Sequence, residues 1–169
     1  MASTYTLISS QVLGSAAASV TFSSIPSTYK DLVLRVSARD DSTFENQVLD
    51  IKFNGTTTGY SYTYVGNSGG TAVSGGVSGS SLWRNYNING GGATANAFGS
   101  SEIYIPSYTA SQNKPMSSFS VVESNDTTAN MGAEAGLWRN TAAITSIAIY
   151  ASNGAYNWVT NSSFYLYGI

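Results

Sequence analysis

The stretch that most constrains the fold is the last one, residues 141–169, whose pattern predicts a closing β-hairpin. Its first arm, 142–150, is rich in β-branched residues, and its second arm, 162–169, alternates aromatic and aliphatic side chains. Both patterns favour strands. Asn153 and Gly154 lie between the arms and accept the positive φ values that a tight turn requires. We therefore expect the chain to end in an ordered core strand.

Period-two alternation recurs along the chain and predicts further strands, separated by turn residues. In 31–39 it places leucine and valine on one face and mostly polar residues on the other. The helix-favouring residues of 132–136 are flanked by glycine, which makes a helix there weak. Short strands without crossover helices predict an all-β, single-domain antiparallel β-sandwich over residues 1–169, in particular a jelly roll. The remaining predicted strands are 4–13, 19–22, 47–54, 60–65, 82–88, 95–105 and 114–123.

One long stretch, 66–81, consists almost entirely of glycine, serine, threonine and small apolar residues. Such a segment offers little apolar bulk for packing, and glycine weakens strand interiors. Loops of this length in compact domains are usually functional or disordered. The composition therefore predicts a long, mobile surface loop at about 66–81.

Composition excludes several classes of protein. The 169 residues fit one domain, and 42% of them are hydrophobic, which argues against disorder. Seven basic and nine acidic residues give a net charge of −2. Without a basic run there is no patch to neutralise phosphates, so we expect no direct contact with nucleic acid. The apolar runs are too short for a membrane helix, and the N-terminus lacks the features of a secretion signal.

Catalysis by the usual side chains is not expected, because the chain contains no histidine and no cysteine. Carboxylate pairs remain, since glycoside hydrolysis needs only two acids. The conceivable candidates are Asp50, Glu102, Glu123 and Glu134. Their positions on or beside the outward faces of predicted strands fit charges that keep a sheet soluble. We therefore expect no catalytic residues, no cofactor and no enzyme.

A metal site is the other chemistry that the sequence raises. A predicted loop that begins at Arg39 brings together the carboxylate oxygens of Asp40, Asp41 and Glu45. Calcium sites in β-sandwiches are often built from such loops. The spacing of these acidic residues matches no EF-hand. A solvated turn with an intrachain ion pair is the better interpretation, so no metal ligand is predicted.

Two sets of tyrosines are candidates for contact with a partner. Period two places Tyr60, Tyr62 and Tyr64 on one face of a strand, where their rings suit a protein interface or sugar stacking. The alternative is that this tyrosine stripe forms part of the sandwich interior. In the last strand, alternation puts Tyr165 and Tyr167 on the face opposite Phe164 and Leu166, which makes them available for contact.

Four segments of the sequence carry characteristic strand and turn motifs. They are Ile25–Leu32 (IPSTYKDL), Phe53-Asn54-Gly55, Glu102–Pro106 (EIYIP) and Asn161–Ile169 (NSSFYLYGI). In these segments the chain resembles a small β-sandwich domain of tailed-bacteriophage virion proteins, and the resemblance spans nearly the whole chain. It rests on structural motifs rather than on catalytic signatures.

The resemblance implies a structural protein of the virion. A chain filled by one domain fits a capsid decoration (cement) protein, which would bind the major capsid protein on the capsid exterior after synthesis in the host cytoplasm. A homotrimer at a capsid three-fold position is the expected assembly. The alternative is a tail-fibre module that recognises host surface glycans. A glycan-degrading enzyme is a third class, which would use two of the four carboxylates.

Overall fold

The alternating segments of the sequence form strands. A computed structural model describes residues 4–124 and 129–169. Within these ranges the one helical element is a 3-10 turn at Ser152–Gly154, so the all-β prediction is confirmed. In chain order the strands are β1 (Thr6–Val12), β2 (Ser19–Phe22), β3 (Leu32–Ala38), β4 (Asn46–Phe53), β5 (Tyr60–Ser68), β6 (Thr71–Ser80), β7 (Trp83–Asn89), β8 (Gly99–Ile105), β9 (Lys114–Glu123), β10 (Ala129–Trp138), β11 (Ile147–Ala151) and β12 (Ser163–Gly168).

The strands form two antiparallel sheets of unequal width. The larger sheet has the order β1-β12-β3-β8-β9-β10-β5-β6, and the smaller one has the order β2-β11-β4-β7. The four strands β1, β12, β3 and β8 alternate along the chain with the four strands of the smaller sheet. Two four-stranded sheets connected in this alternating way form a jelly roll, as the sequence predicted.

The closing hairpin predicted for residues 141–169 is not formed. Strand β11 lies in the smaller sheet between β2 and β4, whereas β12 lies in the larger sheet between β1 and β3. Asn153 and Gly154 do adopt positive φ values of 57° and 85°. The chain then crosses between the sheets, and Trp158 forms bridges with Ala17 and Asp40. Both arms are strands, but their partners are distant in sequence.

Two hairpins inserted into the jelly roll extend the larger sheet. One is β9–β10, and the other is β5–β6, which turns at Gly69 and Gly70 with φ values of 57° and 84°. The predicted loop at 66–81 was therefore wrong, because most of this stretch is strand β6. The glycines provide space: a Cβ at Gly75 would lie 2.7 Å from the hydroxyl oxygen of Tyr64.

Strand β10 replaces the weak helix considered for residues 132–136. Its positions 132, 134, 136 and 138 face the smaller sheet, and Trp138 ends the strand in the core. A Cβ at Gly136 would lie only 2.0 Å from Nε1 of Trp83, so glycine is required where β10 passes this indole. Contact between the sheets therefore accounts for the two glycines of this stretch, Gly132 and Gly136.

The core lies between the sheets and contains all three tryptophans. Phe53 and Trp138 pack with ring centroids 5.5 Å apart, and Trp158 packs on Phe164 at 5.4 Å. Phe164 and Leu166 are buried, as alternation in the last strand predicted. Leu32, Leu34 and other buried aliphatic residues of β3, β4, β8 and β11 complete this cluster.

Candidate functional site

The outer face of the larger sheet, which is turned away from the smaller sheet, carries large exposed side chains. Residues directly opposite one another on antiparallel strands point to the same face. Tyr165 of β12 lies opposite Arg35 of β3, which lies opposite Glu102 of β8. Phe119 of β9 lies opposite Glu102 and extends the row. One row of side chains therefore crosses four strands.

An aromatic and charged cluster occupies the β12 end of this face. Nε of Arg35 donates a hydrogen bond of 2.7 Å to Oε2 of Glu102, and both side chains are 49% exposed. This bond raises the pKa of Arg35, so its guanidinium remains charged. We refer to the cluster as the tyrosine–arginine patch, which consists of Tyr5, Arg35, Glu102, Tyr104, Tyr165 and Tyr167.

The rings of the tyrosine–arginine patch are held by contacts with one another and with the guanidinium. Cζ of Arg35 lies 4.8 Å from the ring centroid of Tyr5 and 5.7 Å from that of Tyr167. The rings of Tyr5 and Tyr167 meet edge to face at 5.9 Å, and Tyr165 stacks beside Tyr167 at 6.5 Å. Cation–π contacts of this kind fix ring orientation at an exposed surface.

A shallow groove of about 300 Å³ runs along the tyrosine–arginine patch. The hydroxyls of Ser37, Ser100 and Ser163 line it, together with the side chains of Arg35, Glu102 and Tyr165. Hydroxyls, a guanidinium, a carboxylate and an aromatic ring are groups that hydrogen-bond and stack on a sugar or on a polar segment of a protein.

An apolar patch of Val65, Phe119 and Met131 occupies the middle of the same face. Their exposed fractions are 61%, 52% and 45%. Ala133 lies opposite both Phe119 and Val65, so these side chains belong to adjoining strands, and a shallow cavity of about 290 Å³ lies among them. Contiguous exposed apolar side chains make this patch a candidate contact surface.

The tyrosine stripe of β5 faces the smaller sheet and is not an exposed contact surface. Tyr60 and Tyr62 are 0% and 6% exposed, which contradicts the prediction that they contact a partner. The Tyr60 ring stacks on Trp138 at 6.1 Å, and its hydroxyl accepts a hydrogen bond of 2.8 Å from the Phe53 amide. The insertion of β5 into the larger sheet turns the stripe inward, so the alternative interpretation was right for these two residues.

Tyr64 is partly buried and contacts Tyr86 of β7. The two ring centroids are 4.3 Å apart, and Tyr62 lies 6.1 Å from the same ring. Burial, together with the neighbouring Tyr62 hydroxyl, raises the pKa of Tyr86 to about 12. This aromatic cluster closes the side of the sandwich next to β7. By contrast, Tyr165 and Tyr167 do lie on the outer face, where alternation placed them.

The four candidate carboxylates do not converge on one site. Glu102 and Glu123 lie on the outer face, and Glu123 is four residues beyond Phe119, the partner of Glu102, which corresponds to roughly 13 Å along the strand. Asp50 is buried beneath Arg84 on the smaller sheet and accepts two hydrogen bonds of 2.8 Å from it. Glu134 lies between the sheets. Asp50 therefore lies on the outward face, as predicted, but it is buried under Arg84 rather than solvated. The outward position predicted for Glu134 was wrong.

Glu134 is the centre of a buried polar network between β7, β9 and β10. It is 3% exposed and accepts hydrogen bonds from Nδ2 of Asn85 at 2.9 Å, from the Tyr86 amide at 3.2 Å and from the Ser118 hydroxyl. Ser101 in turn donates to Oδ1 of Asn85 at 2.9 Å. These bonds satisfy the carboxylate in a place that water does not reach.

Replacing Glu134 with glutamine is expected to change how stability depends on pH. Burial raises the pKa of Glu134 although its hydrogen bonds oppose the shift. Its stabilising contribution is therefore greatest below the unfolded pKa of about 4.3 and is lost as the pH rises through the folded value. Denaturant unfolding at several pH values should show the wild-type free energy of unfolding falling relative to that of Glu134→Gln as the pH rises. Parallel curves would contradict this assignment.

The loop considered for calcium is organised around Arg39 instead. Its guanidinium donates hydrogen bonds of 2.6–3.2 Å to the carbonyl oxygens of residues 91, 93, 94 and 97. Asp40 is buried and accepts from the Ser42 amide at 3.0 Å, while Asp41 accepts from Asn157 at 2.8 and 2.9 Å. The expected ion pair is not formed. Across 4–124 and 129–169, no group of three or more acidic side chains could hold a metal ion.

Sequence reasoning identified Tyr165 and Tyr167 but missed the residues that surround them. Arg35 and Glu102 were each placed on an outward face, yet nothing local shows that β3 pairs with both β12 and β8. Phe119 and Met131 lie among serine, glycine and alanine residues, so the local sequence does not show which side of each strand is buried. In the part of the chain that the structure describes, no helix is long and apolar enough to span a membrane.

Comparisons of the chain with protein-family models, with curated proteins and with solved structures found no match.

Proposed function

We propose that the chain is a structural protein of a bacteriophage virion, a capsid decoration protein that binds the major capsid protein through the outer face of its larger sheet. The observation that carries this proposal is the breadth and composition of that face. Eight strands at about 4.8 Å spacing make it roughly 34 Å wide. Its exposed tyrosine, phenylalanine and methionine side chains are of the types enriched in protein interfaces.

The charges on this face also suit a broad protein contact. Arg35 and Glu102 form an ion pair at 2.7 Å, so each charge keeps its partner when a bound protein covers this face. The resemblance of the sequence to virion β-sandwich domains supports the same setting. The role would be to bridge neighbouring capsid subunits and to add buried interface that opposes the pressure of the packaged DNA.

Serine substitution of Tyr165 and Tyr167 together is expected to weaken binding to capsid shells by at least about tenfold, because buried aromatic anchors dominate interface energetics. The measurement is co-sedimentation of the purified protein with shells assembled from the major capsid protein alone. Both side chains point away from the core, so the variant should retain its fold.

The matched control is Tyr150→Ser, which removes a half-buried tyrosine from the outer side of the smaller sheet. This variant should bind shells like the wild type. Equal binding by the Tyr165 and Tyr167 variant would show that the outer face is not the docking surface. Failure of the wild-type protein to bind any shell would contradict the decoration role itself.

A second candidate is a tail-fibre module that recognises host glycans, and the groove along the tyrosine–arginine patch favours it. Sugar recognition uses stacked rings beside hydrogen-bonding side chains, which Tyr165, Arg35 and the serines of the groove supply. Quantitative electrophoresis of purified virions and isolated tails separates the two roles. A decoration protein should be abundant in capsids and absent from tails, whereas a few tail-associated copies would favour the glycan-binding role.

A further inference from the structure

Strand β6 is an open edge of the larger sheet. It pairs with β5 on one side and is the last strand in the order, so no strand formed by residues 4–124 or 129–169 lies on its other side. Its side chains are largely exposed along the whole of Thr71–Ser80. An edge of this kind presents a row of backbone donors and acceptors to any strand that can align with it.

The edge lacks the features by which proteins usually block such pairing. Protected edges carry charged residues, proline or a bulge in the middle of the strand. Between Lys52 and Arg84 the chain contains no charged residue and no proline. Pairing with β5 is regular from Thr71 to Ser78, and the single irregularity lies beyond it, at Gly79 with a φ of 72°.

The residues of β6 are complementary to a second copy of the same strand. Antiparallel self-pairing about a two-fold axis at Gly75 sets Val73 opposite Val77 of the second copy, and Val77 opposite Val73. Ser74 then lies opposite Gly76. An interface across a two-fold axis brings each charge near its own copy, and an uncharged strand avoids that repulsion. Seven residue pairs, from Ala72 to Ser78, give about six to eight backbone hydrogen bonds.

We propose that β6 pairs with β6 of a second copy in this register and joins two larger sheets into one continuous sheet. The two valine pairs lie on the inner side of the sheet, next to the Tyr64 ring that covers Gly75. In the isolated chain Val77 is 42% exposed, and pairing covers it. The assembly is a two-fold dimer, which differs from the homotrimer expected from the resemblance.

The other edge of the larger sheet is less suited to the same pairing. Strand β1 contains a register irregularity between Leu7 and Ser9, which disrupts a continuous ladder. A two-fold axis at Ser9 would also set Leu7 opposite Gln11 rather than a second apolar side chain. The valine pairs and the regular ladder therefore single out β6.

Disulfide cross-linking tests the register directly, because the chain has no cysteine of its own. In the variant Val73→Cys with Val77→Cys, each introduced cysteine faces its counterpart at a Cα separation of about 4.5–5.5 Å, within disulfide range. Within one chain the two positions are roughly 13 Å apart and do not react with each other. Oxidation should give a covalent dimer on a non-reducing gel.

The control is Val73→Cys alone, whose cysteine lies about 13 Å from the same position in the second copy. It should remain monomeric on the gel. Equal cross-linking of the single and double variants, or none in the double variant, would overturn the proposed register.

Sedimentation at sub-millimolar concentration tests the dimer without covalent cross-linking. The wild type should have the mass of a dimer, and Val73→Lys with Val77→Lys should be monomeric, because four lysines would meet across the axis. Val65→Lys, an exposed position on the outer face of neighbouring strand β5, is the matched control and should stay dimeric. A monomeric or trimeric wild type, or a dimer that persists in the double lysine variant, would overturn the proposal. These measurements need no capsid, so their outcome is independent of the proposed function.

Discussion

Removal of Phe164–Ile169 is expected to abolish cooperative unfolding of the protein. The deleted segment forms nearly all of β12, which is hydrogen-bonded to β1 on one side and to β3 on the other. Phe164 and Leu166 are completely buried, and the amide and carbonyl of Ile169 bond to Asp31 and Lys30 at 2.8–3.2 Å. Without the segment two sheet ladders are lost and the core is opened. Large losses of this kind exceed the usual stability of a domain of about 5–15 kcal/mol.

Circular dichroism during thermal unfolding measures this effect. The truncated chain should show no sharp transition, whereas the full chain with Tyr165→Ser and Tyr167→Ser should keep one, because those side chains lie on the outer face of the same strand. A soluble truncation with an unchanged Tm would show that β12 is a peripheral arm rather than a core strand.

Replacement of Trp138 by alanine is expected to destabilise the fold by about 3–5 kcal/mol, the range for truncating a large buried aromatic residue. Trp138 is 1% exposed at the end of β10. Its indole packs between Phe53 at 5.5 Å and Tyr60 at 6.1 Å, and so joins β4 of one sheet to β5 of the other. A cavity there would loosen the contact that holds the β5–β6 hairpin over the smaller sheet.

Urea denaturation gives the size of this effect. Leu137→Ala is the matched control, because Leu137 is the preceding residue of the same strand and points to the outer face. The control should cost far less than the tryptophan variant. Similar losses for the two variants would mean that the indole is not a core side chain of the folded protein.

Local alternation in the sequence was sufficient to predict many of the strands. The alternation in 31–39 corresponds to β3 and that in 47–54 to β4. In each case a period of two survives because one side of the strand packs in the core. The loop prediction for 66–81 was wrong because Gly75 and Gly76 make room for close contacts with side chains and backbone of β5, including Tyr64. Such contacts cannot be recognised from the local sequence.

The candidate site was only partly accessible to the same reasoning. Tyr165 and Tyr167 were placed on the outer face because they alternate with Phe164 and Leu166, whose apolar character indicates the core. For Tyr60 and Tyr62 both faces of the strand looked plausible, and the structure buries these rings against Trp138 and Tyr86. Glu134, in turn, lies inside because Asn85 and Ser118 approach it from neighbouring strands.

The sequence by itself therefore determined the all-β class, the position of many strands and the two faces of the last strand. These features depend on the period of two within each strand, which needs no partner to be recognised. Only the tertiary structure decided that β11 and β12 belong to different sheets, that Arg35 meets Tyr167, and that β6 is an open edge. Those features depend on which distant strands pair, because pairing sets both the register and the face that is buried.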